Sequence, residues 1–366
     1  MTALRLILAG LAAAVLAGCA TPTTVRPDVD AEAVRAEQRA QSDQAVLTRH
    51  LRVVRAQLLT RRVLTGAKAM CPKQAPLVGF GLTARYAWPG DLRPAALRLL
   101  NAGRKPVVAW VAPGSPAEAA GLRPGDVVVR LDRRRLRGGR RGWLRAENRL
   151  AKAAEDGVVD IEFEPRDRAS LREPRRRTAT LALERACASR LVISAEPGVN
   201  AFADGENITL LTGLIDFART DAELAMIIAH ELAHNTEAHI RARGRNVLIG
   251  GMTGLAAEIL LAAGGINAGG ALIDQGMRRG ALAYSADFER EADYIAMYYL
   301  AAADFPLDGV EAFWRRIGEY APSAIHHEYT HPMTPERALS IIAARQEIER
   351  KREAGEPLMP ERVPRR

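Results

Sequence analysis

Apolar and polar positions divide the chain into four stretches of different rhythm. From Ala31 to Ala69, residues such as Val46, Leu47, Leu51, Val54, Leu58 and Leu59 recur at three- and four-residue steps among Ala, Arg and Gln. That spacing predicts one long helix, ended by Pro72 and Pro76. Residues 77–185 change period. Short β-like runs, at Leu77–Tyr86, Val107–Val111, Val127–Leu131, Val158–Glu164 and Thr178–Leu183, surround one helical pattern from Arg140 to Glu155. From Arg190 to about Lys351 the helical period returns. Thr21–Asp30 is polar and holds Pro22 and Pro27, as suits a tether, and Pro357, Pro360 and Pro364 mark a loose tail.

Composition narrows the class. Of 366 residues, 48% are hydrophobic and 26% charged, which fits folded domains rather than a disordered chain. The formal charge of +9 admits nucleic acid, an anionic membrane or acidic partners, and the N-terminus selects among them. Residues 1–18 carry Arg5, then an apolar run from Leu6 to Leu16 too short to span a bilayer, then Leu16-Ala17-Gly18-Cys19. This resembles a bacterial lipobox, which implies a signal peptide over 1–18 and lipidation of Cys19. Ala20 follows where inner-membrane lipoproteins carry Asp. By that resemblance the chain sits on the periplasmic side of a membrane, the outer one favoured over the inner, with no nucleic acid as partner. In an oxidising compartment the two other cysteines, Cys71 and Cys187, are expected to form a disulfide that staples the ends of the module between them. Arg133–Arg135, Arg140–Arg141 and Arg175–Arg177 read as solvated turns and helix faces, or else as a contact for anionic lipid or acidic polypeptide.

Within that module, Pro113-Gly114-Ser115-Pro116-Ala117-Glu118-Ala119-Ala120-Gly121-Leu122-Arg123-Pro124-Gly125-Asp126 resembles the PDZ domains of bacterial proteases. Gly79-Phe80-Gly81-Leu82 is similar to the loop whose backbone amides bind a peptide's terminal carboxylate in such domains. The Arg140–Glu155 helix would then be one wall of a peptide groove.

The chemistry concentrates at His230-Glu231-Leu232-Ala233-His234. Helical residues four apart share a face, so His230 and His234 can converge on one metal ion with Glu231 beside its open position. Thr220-Asp221-Ala222-Glu223 reads as the capping box that starts this helix. Two glutamates compete for third ligand. Glu258 lies in a Gly/Ala-rich apolar stretch. Glu289 is favoured because Glu289-Arg290-Glu291-Ala292-Asp293 puts a second carboxylate one turn on, able to orient a ligand histidine from behind. His239, about 140° around a continued helix from His234, reads as solvent-facing. Val247–Ile273 is apolar but broken by Glu258 and by Gly264, Gly265, Gly269 and Gly270. It reads as two short helices, packed as a buried hairpin, or else as a lid or a surface that dips into a membrane.

Asn200-Ala201-Phe202-Ala203, the His-Glu-x-x-His helix, Glu289–Asp293 and Thr330-His331-Pro332 follow one another as in the HtpX/BepA-type gluzincin metallopeptidases, relatives of the CAAX prenyl proteases, which residues 190–345 resemble. The resemblance implies one zinc ion on His230, His234 and Glu289, and Glu231 as general base. It also implies Asn200 near the substrate backbone, and His331 either touching substrate or plugging the metal. The expected fold class is α+β: a mainly helical zincin-type metallopeptidase domain with an inserted β-rich PDZ domain. Its parts are a signal peptide 1–18, a tether 19–30, an N-terminal helix of the peptidase domain 31–70, a PDZ domain 71–187, a zinc metallopeptidase core 188–350 and a tail 351–366. The expected activity is zinc-dependent hydrolysis of misfolded or stalled envelope polypeptides, with the outer-membrane protein assembly machinery as a possible partner. The alternative is a lipid-anchored PDZ binding or assembly factor with an idle metal site.

Overall fold

The computed structural model describes residue 24 and residues 27–166, 176–263, 266, 268–282, 285–320 and 335–363. The signal peptide and Cys19 therefore lie outside the described residues, as does most of the tether. Met1–Ser42 forms one unit and Asp43–Arg366 a second. In the first, helix α1 (Ala31–Gly66) starts where the Asp30 carboxylate accepts hydrogen bonds from the Glu32 and Ala33 amides, both at 2.9 Å.

Within the second unit, the rest of α1 is a spine shared by two domains. Val46 packs with Trp88, Ala95, Ala96 and Ala102, and Val54 and Leu58 pack on Ala109, Trp110 and Ala112. Ala56, Leu59, Val63 and Leu64 enter the largest core, built mainly from the helices that follow residue 211. The three- and four-residue steps read along the sequence thus serve three separate clusters from one helix, while Leu47 and Leu51 stay exposed.

After α1 come β1 (Gln74–Leu77), β2 (Phe80–Thr83), α2 (Arg93–Leu100), β3 (Val107–Val111), α3 (Pro116–Ala119), β4 (Val127–Leu131), β5 (Arg134–Arg135), α4 (Arg140–Asp156), β6 (Val158–Glu164), β7 (Arg177–Ala182) and β8 (Glu184–Cys187). The main sheet runs β2-β3-β4-β6-β7, all antiparallel, with β5 on β4. Along β6, Val159, Ile161 and Phe163 are buried and alternate with more exposed residues, the period-two signature of a sheet with one covered face. They join Phe80, Val108, Leu131 and Leu181 in a separate small core. Ser115 caps α3 by accepting the Glu118 amide, and the Asp126 carboxylate accepts the amides of Arg123 and Arg166, so the Pro113–Asp126 stretch is closed by its own side chains. β1 pairs with β8 in a two-stranded ribbon, and a Cys71–Cys187 disulfide ties its base, with Cα atoms 5.5 Å apart.

The second half begins with β9 (Arg190–Ser194), β10 (Ala201–Ala203) and β11 (Asn207–Leu211), in a sheet ordered β10-β11-β9. Helices follow: α5 (Thr212–Phe217), α6 (Asp221–Thr236), α7 (His239–Ala263), α8 (Ala271–Leu282), α9 (Ser285–Ala302), α10 (Val310–Tyr320) and α11 (Pro335–Ala354). α6 and α9 lie against each other at the centre, with Ile228, Tyr298 and Tyr299 wholly buried.

The apolar stretch after α6 departs from the sequence reading. α7 is one continuous 25-residue helix rather than a short one, and it is exposed rather than buried. Two of its glycines, Gly250 and Gly254, face α8 at backbone contact. A Cβ on Gly250 would stand 2.0 Å from the Gly276 carbonyl oxygen, and one on Gly254 2.1 Å from that of Leu272.

Candidate metal centre

α6 starts as its sequence requires. Thr220 accepts the Glu223 amide while the Glu223 carboxylate accepts the Thr220 amide, a reciprocal capping box. The helix is then buried from Leu224 to His234, so both imidazoles and Glu231 are held in the interior. Opposite them α9 supplies Glu289 and Asp293, one turn apart on its inward face, both buried.

Three of these side chains, His230, His234 and Glu289, converge. His230 Nε2 and His234 Nε2 are 3.1 Å apart. The Glu289 carboxylate is 3.3 Å from the first and 3.4 Å from the second. One donor atom from each of His230, His234 and Glu289 lies within 4.8 Å of the others. The outer nitrogens fix which ring atom faces in. His230 Nδ1–H donates to Asp293 at 2.9 Å, leaving Nε2 to the shared point. On the other side His234 Nδ1 meets His239 Nδ1 at 3.0 Å, and His239 Nε2 meets Glu291 at 3.1 Å. An acidic acceptor at the far end makes His239 Nε2 the donor, so His239 Nδ1 accepts from His234. With both imidazoles neutral, the two Nε2 lone pairs, 3.1 Å apart, are then aimed at one another, an arrangement that a cation between them would stabilise. Two neutral imidazoles and a carboxylate around a closed, buried point suit zinc.

Without a metal the same acidic surroundings favour a proton on His230. Burial alone would lower the His230 pKa, but hydrogen bonds and charge from Asp293 and Glu289 outweigh it and push it up to about 9. For Asp293 burial works upward, and Arg337 and His230 together outweigh it, holding the carboxyl below its ordinary range. Arg337 is itself buried. Its Nε and Nη2 reach the two Asp293 oxygens at 2.7 and 2.9 Å, and Nη1 lies 3.2 Å from Glu289. Desolvation pulls its pKa down, but Asp293, Glu289 and Glu231 more than reverse this, so the guanidinium stays charged. The Trp314 ring stands between the two halves, 5.3 Å from the His230 ring and 4.4 Å from the Arg337 guanidinium carbon.

His239 corrects the sequence reading. It is only 3% exposed and stacks on Phe288. The angular argument assumed an unbroken helix, but α6 ends at Thr236 and Ala238 takes a left-handed φ of 58°. That single turn restarts the chain in a new direction and swings His239 back against His234. Arg337 and Trp314 were not picked out from the sequence. The available signal for Arg337 was its place in the stripe Arg337, Ile341, Ala344, Ile348, where it is the one charged member of a buried face. Glu258 lies in the α7–α8 pair and accepts the Gly270 and Leu272 amides, capping α8.

Asn200 leads into β10, where its side-chain oxygen accepts the Ala201 amide at 2.9 Å and its carbonyl accepts that of Leu211. β10 packs on α6, and Asn235 ties the end of α6 to the same sheet through Gly205, Ser189 and Asn207. His326, His327 and His331 lie outside the described residues. In the β-rich domain, Phe80 and Leu82 belong to the edge strand β2 and face its core, and the Gly79 carbonyl accepts the Ala112 amide. Gly81 lies flat on the Trp110 ring, where a Cβ would come within 2.2 Å. Arg133–Arg135 are exposed, with Arg133 paired to Asp160.

Comparison with known proteins bears on this geometry. The profile of peptidase family M48 matches residues 168–344, and that of the PDZ domain residues 107–141. The M48 match opens upstream of β7, the last strand of the sheet that the PDZ match also covers in part. A protein of Vibrio cholerae serotype O1 is 32% identical over 152 residues, 38% of this chain and 31% of that one. The beta-barrel assembly-enhancing protease of Escherichia coli K12 is 29% identical over 149 residues, again 38% and 31% of the two chains. The mitochondrial metalloendopeptidase OMA1 of Arabidopsis thaliana is 26% identical over 209 residues, 54% of this chain and 42% of that one. The chain thus spans about a third of the length of its bacterial relatives. With His230, His234 and Glu289 gathered for zinc inside the matched segment, the chain carries a peptidase family M48 domain joined to a PDZ domain.

Proposed function

We propose that this protein is a zinc-dependent endopeptidase that cleaves unfolded or stalled polypeptides of the bacterial envelope. The observation that carries the reading is the set of three buried donors within 4.8 Å of one another, with Glu231 buried on the same helix between the two histidines. His230, His234 and Glu289 would hold the zinc, which when bound acts as a Lewis acid on a peptide carbonyl and acidifies water beside it. Glu231 takes the proton of the attacking water and returns it to the leaving amide nitrogen. Asp293 and His239 keep each imidazole in the tautomer that presents Nε2. Arg337 holds Asp293 and Glu289 in place and keeps Asp293 ionised. Asn200, at the mouth of β10, steers the substrate backbone toward this point. The PDZ domain selects or gates substrate by adding an extended peptide to the exposed edge of β2, its end against Gly79-Phe80-Gly81-Leu82. A lipid on Cys19 tethers the chain to the periplasmic face of the outer membrane. The E. coli relative's name, beta-barrel assembly-enhancing protease, supports outer-membrane proteins as the substrate class and their assembly machinery as a partner.

The test is Glu231→Gln. Wild-type protein loaded with one zinc should degrade casein, and the variant should keep its zinc by elemental analysis and lose at least about a thousandfold in rate. Equal turnover at equal zinc content would remove Glu231 from the mechanism. A zinc-loaded wild type that cuts no unfolded protein would remove the peptidase reading itself.

A further inference from the structure

The pair α7–α8 is built in the opposite sense from a water-soluble hairpin. Two helices meeting in water normally bury their large apolar residues against each other. Here the seam holds glycines, Gly250 and Gly254 against Gly276 and Gly280, at backbone contact. The large residues of α7 point outward. Leu248, Met252, Leu255 and Ile259 follow at steps of four, three and four, so they form one stripe about 150° from the seam at 100° per residue, with Ile249 and Leu260 exposed on its flank. The four stripe residues are 64%, 63%, 47% and 61% exposed. α7 is long and apolar enough to cross a membrane, and only 6% of its most apolar stretch is buried. A seam of small residues with apolar side chains facing out is the packing of helices whose surroundings are hydrocarbon.

Charge identifies what covers the stripe. Continued toward the root of α7, the same face carries Arg245 and Arg241, both exposed and neither paired to a carboxylate among the described residues. Glu258, the one carboxylate of α7, is turned aside to cap α8. The partner helix α8 shows Asp274, Gln275 and Arg278 to solvent, which keeps that side of the hairpin out of hydrocarbon. One apolar stripe with a basic root fits a helix lying in the headgroup layer of an anionic bilayer, not one that spans it. We infer that the outer face of α7 is a membrane-binding surface for an anionic lipid bilayer. It would act apart from any lipid on Cys19, and would lay the segment that directly follows the metal-binding helix against the membrane.

The experiment uses the full chain with Cys19→Ser, so that an introduced cysteine is the one thiol outside the Cys71–Cys187 disulfide. A polarity-sensitive fluorophore is placed at Ile259→Cys or, as a control on exposed PDZ surface, at Leu144→Cys. Vesicles are phosphatidylcholine alone or with about a third phosphatidylglycerol. On the anionic vesicles the 259 probe should shift to the blue and be quenched by brominated acyl chains, while the 144 probe should not. Leu255→Gln with Ile259→Gln should weaken vesicle binding by about tenfold or more, and omitting phosphatidylglycerol should weaken it by a similar factor. Four results would each overturn the inference: no vesicle binding, a 259 probe that stays in water on bound protein, binding indifferent to anionic lipid, or binding indifferent to the two glutamines. A blue shift without vesicles that grows with protein concentration would also overturn it, and would make a second copy of this chain the occupant.

Discussion

Zinc and a proton compete for the same nitrogen, and the structure sets the size of the contest. Without metal, His230 Nδ1–H is held by Asp293 at 2.9 Å and Nε2–H points at Glu289 3.3 Å away, so the imidazolium is stabilised from both sides. Its pKa stands at about 9 against an ordinary 6.5. Between those two values the folded metal-free protein holds a proton that the unfolded chain has released. The His230 contribution to its stability is therefore fully present below pH 6.5 and is lost as pH rises through 9. At ~1.4 kcal/mol per pH unit, that loss is about 3 kcal/mol for this fully buried group. Zinc must displace the same proton. Apparent zinc affinity should fall about tenfold per unit as pH drops below 9, so binding at pH 6 is about a hundredfold weaker than at pH 8. Binding at pH 7 should release at least about one proton. Chelator competition across pH gives the slope, and calorimetry in buffers of different ionisation enthalpy counts the protons. Urea unfolding of metal-free and zinc-loaded protein at pH 6.5 and 9 then separates the two effects, because only the metal-free form should weaken by the full amount. An affinity flat from pH 6.5 to 8.5, with no proton released, would show that His230 does not bind the metal through Nε2.

Other substitutions probe the same assembly. Glu289→Ala should strip zinc, whereas Glu258→Ala should leave occupancy near wild type and cost only the α8 cap, about 1 kcal/mol in unfolding; the reverse ranking by metal analysis would move the ligand to Glu258. Arg337→Met leaves two carboxylates buried without their cation and should destabilise by about 3–5 kcal/mol in urea. A loss under about 1 kcal/mol would mean that Asp293 is held ionised by something else. His239→Leu removes the acceptor behind His234 and should weaken zinc binding by about ten- to a hundredfold. Unchanged affinity would cut the relay from Glu291 through His239 to His234.

How far the sequence reached depends on how local the determining forces are. The α6 start was legible because a capping box is settled within four residues, Thr220 to Glu223. The face shared by His230 and His234 follows from helical pitch alone, and the pairing of Glu289 with Asp293 follows from the same pitch. Strand β6 was readable because its alternation of Val159, Ile161 and Phe163 is a property of the pleat. Other features were beyond reach because they rest on one dihedral or on a distant partner. Ala238 at a φ of 58° turns His239 inward, and no periodicity announces where a helix will stop and restart. Arg337 joins the site from 44 residues beyond Asp293, since a buried guanidinium is tolerable only where two carboxylates already wait. Gly250 and Gly254 carried no signal along the chain and became a seam only when α8 brought carbonyl oxygens to 2.0 and 2.1 Å from where their Cβ atoms would stand. By itself, then, the sequence determined which residue types share a helix face and which segments alternate. The tertiary structure alone decided which faces meet, because burial, charge compensation and backbone approach are properties of pairs of elements.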